Sequence, residues 1–198
     1  MEFLKVRRQA KKRIYVHNDL SNTAFHLRKQ IEHKIAAGDR SGISLEIMAC
    51  LAMLAFTFEA KVNFIGAKAV KDWRERQSFK EKIKDICKHI GFKANDSERP
   101  YKTVLELKEL RDSFAHGKPV LVELDETVDV SPEQIDEAPH LGAEWESKLH
   151  IEFVNQCFED VDAIWKEWLR LSGIQLFDTL THGENTVTII ERYTDAET

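Results

Sequence analysis

Hydrophobic residues recur three and four positions apart along most of this chain, a spacing typical of helices that bury one face. Segment 43–66 is the most apolar of these, with a nearly unbroken hydrophobic run from Ile47 to Phe56. We therefore predict that it forms the buried central helix of a bundle. The run is ten residues long, about half of what spans a bilayer, so we expect no membrane-spanning segment.

Five other segments carry signals of helices. Ser78 and Glu81 form a capping-box signature, and Gly91 provides a stop for the helix that they begin. The segment that follows Pro100 and the segment after Ser147 both show apolar positions at helical spacing. The predicted helices cover residues 3–17, 21–37, 78–90, 101–116 and 147–171.

Two regions lack helical spacing. Residues 118–146 include the stretch from Glu123 to Glu137, which has seven acidic residues and no basic one. We expect an extended connection there, with a short strand at Val120–Val122 as an open alternative. Near the C-terminus, alternating residues on either side of Gly183 predict a β-hairpin.

The predicted fold is therefore an all-α helical bundle with a minor C-terminal β-hairpin. Basic helices are expected in residues 1–42, and the bundle in residues 43–172, with the acidic connection inside it. The hairpin or tail is expected in residues 173–198.

Charge is unevenly distributed along the chain. Residues 1–118 carry 25 Lys and Arg against 15 Asp and Glu, a net of +10, whereas residues 119–198 carry 4 against 19, a net of −15. A basic surface suits RNA, because phosphate contacts dominate the affinity of proteins for nucleic acids. A basic helical face packed against an acidic C-terminal region explains the asymmetry equally well.

The three cysteines, Cys50, Cys87 and Cys157, are far apart and odd in number. This pattern argues against a disulfide framework or a zinc site and favours a reducing compartment. The sequence contains no phosphate-binding glycine loop. We expect a cytoplasmic protein that needs no metal and no cofactor.

Arg111 and His116 are the strongest candidates for chemistry. A guanidinium suits phosphate, and an imidazole moves protons near neutral pH. Gly117 marks a helix end next to His116, and Asp112 lies four residues before His116, where its carboxylate is expected to orient the imidazole. The simpler interpretation is a C-capping histidine beside a surface arginine.

The bare Arg-x4-His pattern has little specificity, since about 0.4 matches are expected by chance from this composition. A second match, Arg28 and His33, lies in mid-helix. Residues five apart in a regular helix diverge by about 140°, so this second pair is not expected to act together. The pair therefore serves as an internal control.

Glu59 and Asn63 form a polar pair, four residues apart, on the otherwise apolar central helix. Polar side chains on a buried helix need partners. We expect Glu59 to contact a cation from the neighbouring helix, and Arg111 is the natural one. A partly exposed face at the end of the bundle is the alternative.

These residues together resemble the HEPN superfamily. The resemblance consists of Glu-Ala-x-x-Asn on an apolar helix followed, about fifty residues later, by Leu-x-x-Leu-Arg-Asp-x-x-Ala-His-Gly-Lys at a helix end. It covers roughly residues 43–118, with 147–171 as a later bundle helix. The resemblance implies an all-α bundle that forms a homodimer, with the two Arg-x4-His motifs facing each other across an RNA-binding cleft.

By this resemblance, Arg111 and His116 are the catalytic pair, and Asp112, Glu59 and Asn63 support them. Many HEPN proteins are metal-independent endoribonucleases in toxin–antitoxin or phage-defence systems, so a cognate antitoxin or inhibitor protein is a possible partner. Some HEPN toxins carry, two residues after the histidine, a tyrosine that a partner enzyme modifies. That position is Lys118 here, which does not support this mode of control.

The leading hypothesis is an endoribonuclease in which the RNA 2′-hydroxyl attacks its own phosphodiester, giving a 2′,3′-cyclic phosphate. Three lysines, Lys118, Lys108 and Lys61, are candidates for binding the RNA backbone. Two alternatives are a HEPN-like module that binds nucleic acid, nucleotide or protein without cutting, and a helical interaction protein in which the motif is only a capped helix end.

Overall fold

The computed structural model describes residues 2–129, 131 and 141–194. Five α-helices form a bundle, and the two ends of the described chain form a two-stranded sheet. In chain order the elements are β1 (Glu2–Arg13), α1 (Val16–Ala36), α2 (Ile43–Ala69), α3 (Phe79–His89), α4 (Tyr101–Ala115), α5 (Ile151–Ser172) and β2 (His182–Thr194), with short 3-10 turns at Glu144–Lys148 and Leu176–Thr179.

Helix α2 is the centre of the bundle, as predicted. It packs against α1, α3, α4 and α5, and Leu51, Phe58, Val62 and Ile65 on it are almost fully buried. Each such side chain contributes about 1.5–3 kcal/mol by leaving water. Within the described ranges α2 is also the one helix long and apolar enough to cross a membrane, by length and composition alone, and 39% of its apolar 18-residue stretch is buried.

The capping box predicted at Ser78 and Glu81 is confirmed. The Ser78 hydroxyl accepts a hydrogen bond from the Glu81 amide, and the Ser78 amide donates to the Glu81 carboxylate over 3.0 Å. The helix that it begins, α3, buries Phe79, Ile83 and Ile86 against α2. Because this face packs on α2, it sets the orientation of α3 relative to α2 and therefore the positions of the other α3 side chains.

Helix α4 is held between α2 and α5. Its first residue, Tyr101, is buried, and the Tyr101 hydroxyl accepts a hydrogen bond of 2.9 Å from the indole N–H of Trp168 on α5. Val104, Leu107 and Leu110 continue the buried face of α4. The orientation of α4 is therefore set well before its last turn, where the Arg-x4-His motif lies.

The basic helix predicted over residues 3–17 is wrong, because this segment forms β1. The hairpin predicted within residues 173–198 is wrong in its partner. Strand β2 pairs antiparallel with β1, from Glu2 opposite Thr194 to Arg13 opposite His182. The helical prediction followed the abundance of basic residues, whereas the backbone hydrogen bonds of β1 are completed by a strand almost a whole chain length away.

Gly183 was predicted to lie at a turn, yet it lies inside β2. A Cβ atom at this position would come within 2.8 Å of the Lys11 carbonyl oxygen on β1. Glycine within a strand commonly marks such a close backbone approach. The same residue type that suggests a turn therefore serves here to bring the two strands together.

Several boundaries differ from the prediction. Helix α1 begins at Val16 and not at Ser21. Helix α5 begins at Ile151, after a 3-10 turn, where the His150 ring accepts a hydrogen bond from the Phe153 amide. No strand forms at Val120–Val122. Parts of the predicted acidic connection, residues 130 and 132–140, lie outside the described residues.

Candidate functional site

Arg111 projects from the last part of α4 toward α2. Its Nη2 atom donates a hydrogen bond to Oε2 of Glu59, and the two side chains form an ion pair. The guanidinium carbon also lies 5.5 Å from the centre of the Phe56 ring. The expected contact between Glu59 and Arg111 is therefore present, and the arginine side chain is only 18% exposed.

Asp112 binds cations and does not orient His116, which corrects the prediction. Its Oδ1 atom lies 2.9 Å from Nη1 of Arg111, and its Oδ2 atom accepts a hydrogen bond from Lys108. Asp112 and Lys108 are four residues apart, a favourable spacing for a helical ion pair. Because both oxygens are engaged, the carboxylate helps to fix Arg111 in place.

His116 caps the C-terminal end of α4. Its backbone leaves helical geometry, with φ −121° and ψ 21°, and its amide donates to the Asp112 carbonyl over 2.9 Å. The residue is exposed, and its ring makes no hydrogen bond or ion pair with any residue in the described ranges. The imidazole is therefore accessible to a ligand.

Gly117 follows the cap, as the sequence predicts, but its role is steric. Its backbone is not in the left-handed region. A Cβ atom there would stand 3.0 Å from the Ser113 carbonyl oxygen, closer than side chains normally approach. The missing side chain lets the chain turn away tightly after His116.

Lys82 and Phe56 join this site, although sequence reasoning did not find them. The Nζ atom of Lys82 on α3 lies 4.0 Å from Oε1 of Glu59, and the Lys82 side chain is only 5% exposed. The sequence signal for Lys82 is its position among the buried residues of the capped helix α3. Three cations, Lys82, Lys108 and Arg111, thus surround two carboxylates, which leaves the cluster with a net positive charge.

The guanidinium of Arg111 retains capacity for a ligand. Arginine has five N–H donors, and the described contacts engage one on each terminal nitrogen. A second N–H on each of those nitrogens can still donate. Nε is buried without a partner. This arrangement can bind an oxyanion such as a phosphate, because two parallel N–H groups match its geometry.

Asn63 lies one turn beyond Glu59 on α2, but the two do not act on the same neighbour. The Oδ1 atom of Asn63 is buried without a hydrogen-bond partner among the described residues. Asn63 lines a separate cavity with Tyr15 and His17. The structure therefore brings Glu59 and Asp112 to Arg111, and does not bring Asn63.

The three lysines predicted to bind RNA have different environments. Lys118 is exposed, and Lys108 is bound to Asp112. Lys61 is largely buried: it is 8% exposed, and its Nζ atom lies 5.0 Å from the centre of the Trp165 ring. Residues two apart on a helix diverge by about 200°, so Lys61 faces away from Glu59. Burial lowers the pKa of Lys61 to about 8.

The control pair, Arg28 and His33, has the environment of ordinary residues on a helix surface. The Nε atom of Arg28 donates to Glu32 over 2.8 Å, and its guanidinium carbon lies 5.0 Å from the Phe158 ring centre. His33 is exposed on the same helix. No carboxylate from another helix holds Arg28 among the described contacts, which distinguishes it from Arg111.

No group of three or more His, Cys, Asp or Glu side chains among the described residues is placed to hold a metal ion. All three cysteines are free and buried. Burial raises the pKa of the Cys50 thiol to about 12, so this thiol is unreactive at neutral pH.

An apolar stripe runs along the solvent side of α2 toward Arg111. Leu45 is 70% exposed and Phe56 is 39% exposed, and Ala49 between them is also exposed. The nearly continuous hydrophobicity of this helix concealed the stripe in the sequence. Such a face on the central helix is suited to contact another protein surface.

Comparisons with protein-family models, with curated proteins and with solved structures find no match for this chain.

Proposed function

We propose that this protein is a metal-independent endoribonuclease of the HEPN type. The observation that carries the proposal is the arrangement of Arg111: Glu59 on α2 and Asp112 on α4 hold its guanidinium in the last part of α4, the helix that ends at the exposed His116. A fixed guanidinium and a free imidazole at one helix end supply the two groups that cleavage of an RNA phosphodiester requires.

The reaction uses the RNA's own 2′-hydroxyl as nucleophile. His116 serves as general base or general acid, accepting the 2′-hydroxyl proton or donating a proton to the departing 5′-oxygen. The products are a 2′,3′-cyclic phosphate and a 5′-hydroxyl. A positioned acid or base of this kind contributes about 10²–10⁴-fold to the rate.

Arg111 stabilises the charge that develops on the phosphate. Because Glu59, Asp112 and Phe56 already hold the guanidinium, little reorganisation is needed when the substrate binds. Lys118, exposed two residues after His116, is placed to contact a neighbouring phosphate. Glu59 and Asp112 are positioning residues in this proposal.

A homodimer fits the same surface. The apolar stripe of α2 ends beside Arg111, so a second copy docked on it brings two Arg-x4-His motifs close together. Two His116 rings then divide the acid and base roles. A cognate antitoxin or inhibitor protein would cover the same surface, and cytoplasmic localisation is part of this proposal.

One observation favours a second function, a HEPN-like module that binds nucleic acid or nucleotide without cutting it. Catalytic histidines are usually oriented by a third group, and no described residue orients the His116 ring. In that case Arg111 still binds phosphate, and His116 is only a helix cap.

Incubation of purified protein with mixed RNA in EDTA separates the two functions. The enzyme predicts fragments ending in 2′,3′-cyclic phosphate, lost in Arg111→Ala and His116→Ala, while Arg28→Ala still cuts. Circular dichroism and sedimentation show whether the variants fold and assemble as wild type does. RNA binding without any cleavage by wild-type protein overturns the enzyme and leaves the binding module.

A further inference from the structure

Strands β1 and β2 form a long two-stranded ribbon outside the helical core. The pairing runs from Glu2 to Arg13 on β1, a length of about 40 Å. At the base of the ribbon the Tyr15 amide donates to the Thr181 hydroxyl over 3.0 Å. Every side chain whose exposure is described on the two strands is exposed or half-buried. A two-stranded ribbon is at best marginally stable alone in water, so a ligand along it would also stabilise it.

The ribbon is positively charged, although the protein as a whole is not. Strand β1 has six basic residues and one acidic residue, and β2 has one basic and two acidic residues, a net of +4 for the ribbon. The net charge of the whole chain is −5. A cationic, uncovered surface on an acidic protein is suited to a polyanion.

Three cations lie on one face of β1. Successive residues of a strand point to opposite faces, so Arg7, Lys11 and Arg13 share a face, and residues two apart on it are separated by about 6.6–6.8 Å. These three side chains form no ion pair with any residue that the structure describes. Regularly placed, unpaired cations match a polymer whose charges also recur at regular intervals.

The rest of this face, which we call the polar face, also suits phosphate. Thr188 lies opposite Arg7, and Thr186 lies opposite Gln9. Hydroxyl and amide side chains of these types commonly donate hydrogen bonds to phosphate oxygens, alongside arginine and lysine.

Two carboxylates reduce the charge of the polar face without cancelling it. Glu191 lies 3.8 Å from Lys5 in an exposed ion pair. Glu184 lies opposite Lys11, but no ion pair joins them among the described contacts. With four basic and two acidic residues, the polar face keeps a net charge of +2.

The other face of the ribbon, which we call the apolar face, has the same net charge but a different chemistry. Arg8 and Lys12 lie on it, and an ion pair of 3.6 Å joins its remaining charges, Arg192 and Glu2. Between them the surface is hydrophobic, from Leu4, Val6, Val187 and Ile189. Because few donors surround its cations, this face is the poorer surface for a phosphate backbone and supplies a matched control.

An aromatic pair lies at the far end of the polar face. Phe3 and Tyr193 stack across the two strands with 5.7 Å between ring centres, and Tyr193 is 47% exposed. Proteins that bind single-stranded nucleic acid combine a basic track for the backbone with aromatic side chains on which bases stack. The bases of a duplex are not available for such stacking, so the pair favours a single strand.

We propose that the polar face of the ribbon binds the phosphate backbone of single-stranded RNA, with Arg7, Lys11 and Arg13 as its cations. The choice of RNA rests on the proposed function, which supplies this polyanion as the substrate. The ribbon is a binding surface separate from the Arg111 cluster, and it holds a part of the strand that is not cut.

Fluorescence anisotropy with a labelled 2′-O-methyl RNA in EDTA, over a range of salt concentrations, tests the surface. This probe lacks the 2′-hydroxyl nucleophile, so binding is measured apart from cleavage. On single strands each phosphate contact contributes about 0.7 to the slope of log K against log salt. The double variant Arg7→Gln/Lys11→Gln should therefore lower the slope by about 1.4, which widens its affinity loss by about 25-fold for each tenfold decrease in salt.

The double variant Arg8→Gln/Lys12→Gln is the matched control. It removes the same two residue types, four apart on the same strand, from the apolar face. We expect its slope to change by less than half as much. Circular dichroism shows that both variants keep the wild-type fold.

Equal losses of slope in the two variants overturn the inference, because binding then follows net charge and not the polar face. Absence of binding by wild-type protein overturns it as well, as does binding of a duplex of the same sequence as tightly as the single strand. Binding with the expected slopes, but without cleavage of ordinary RNA, refutes the nuclease and leaves the ribbon as an RNA-binding surface. Cleavage of ordinary RNA with unchanged slopes in Arg7→Gln/Lys11→Gln refutes the ribbon alone.

Discussion

Replacing Glu59 by Gln should destabilise this protein more than replacing Arg111 by Gln, although the two residues bind each other. When Arg111 is lost, Glu59 still has Lys82 at 4.0 Å. When the Glu59 carboxylate is lost, Lys82 has no other ion-pair partner among the described residues. The 5% exposed lysine is then left beside Arg111, with no anion between the two cations.

The size of the effect follows from burial. The Arg111 side chain is 18% exposed and that of Glu59 is 32% exposed, so the pair is intermediate between two measured classes. Exposed ion pairs contribute about 0–1 kcal/mol, and removing one partner of a buried pair costs about 3–5 kcal/mol. We expect a loss of about 2 kcal/mol for Glu59→Gln, about 1 kcal/mol for Arg111→Gln, and a coupling energy of about 1 kcal/mol between them.

Urea denaturation of the wild type, both single variants and the double variant gives these values as a double-mutant cycle. The same four proteins should be assayed on RNA, where Glu59→Gln keeps a reduced activity and Arg111→Gln keeps none. A coupling energy below about 0.3 kcal/mol would refute the reasoning, because contacting residues should not behave additively. A larger loss for Arg111→Gln than for Glu59→Gln would remove the assigned role of Lys82.

Three further predictions concern buried ionisable groups. Arg99→Ala should lower the midpoint of urea denaturation, since Asp160, which is 5% exposed, loses hydrogen bonds of 2.8 and 2.9 Å; an unchanged midpoint would contradict this. Burial lowers the pKa of His17 from 6.5 to about 4, so between these pH values the unfolded chain binds a proton that the folded protein does not. The free energy of unfolding therefore decreases as the pH is lowered from 6.5 to about 4, by up to about 3 kcal/mol; His17→Gln should lose that part of the pH dependence. Burial lowers the pKa of Lys61 from 10.5 to about 8, so stability rises with pH across that window; Lys61→Met should raise the free energy of unfolding at pH 7 by about 2 kcal/mol and flatten this rise.

Much of the bundle could be predicted because its signals are local. The central helix follows from its own hydrophobicity, and the start of α3 follows from two side chains three residues apart. The contact of Glu59 with Arg111 was also predictable, because a carboxylate on a largely buried helix needs a cation and the motif supplies one. In each case the sequence shows both the group that needs a partner and the group that can provide one.

Most of the errors arise where the partner is distant in sequence. Nothing local to β1 indicates that β2, about 180 residues later, completes its hydrogen bonds. Lys61 looked like a surface cation, yet its long side chain lies over Trp165 on α5. Asp112 was assigned to His116 by spacing, but Lys108 and Arg111 on the same helix are stronger ligands for a carboxylate.

The most direct test of the catalytic assignment is the rate of RNA cleavage in EDTA by His116→Ala relative to His33→Ala. Both variants remove an exposed histidine that ends an Arg-x4-His pattern, so they are matched in chemistry. We predict that His116→Ala is slower than wild type by at least about 10²-fold, and that His33→Ala cuts at the wild-type rate. Equal rates for wild type and His116→Ala would contradict the account.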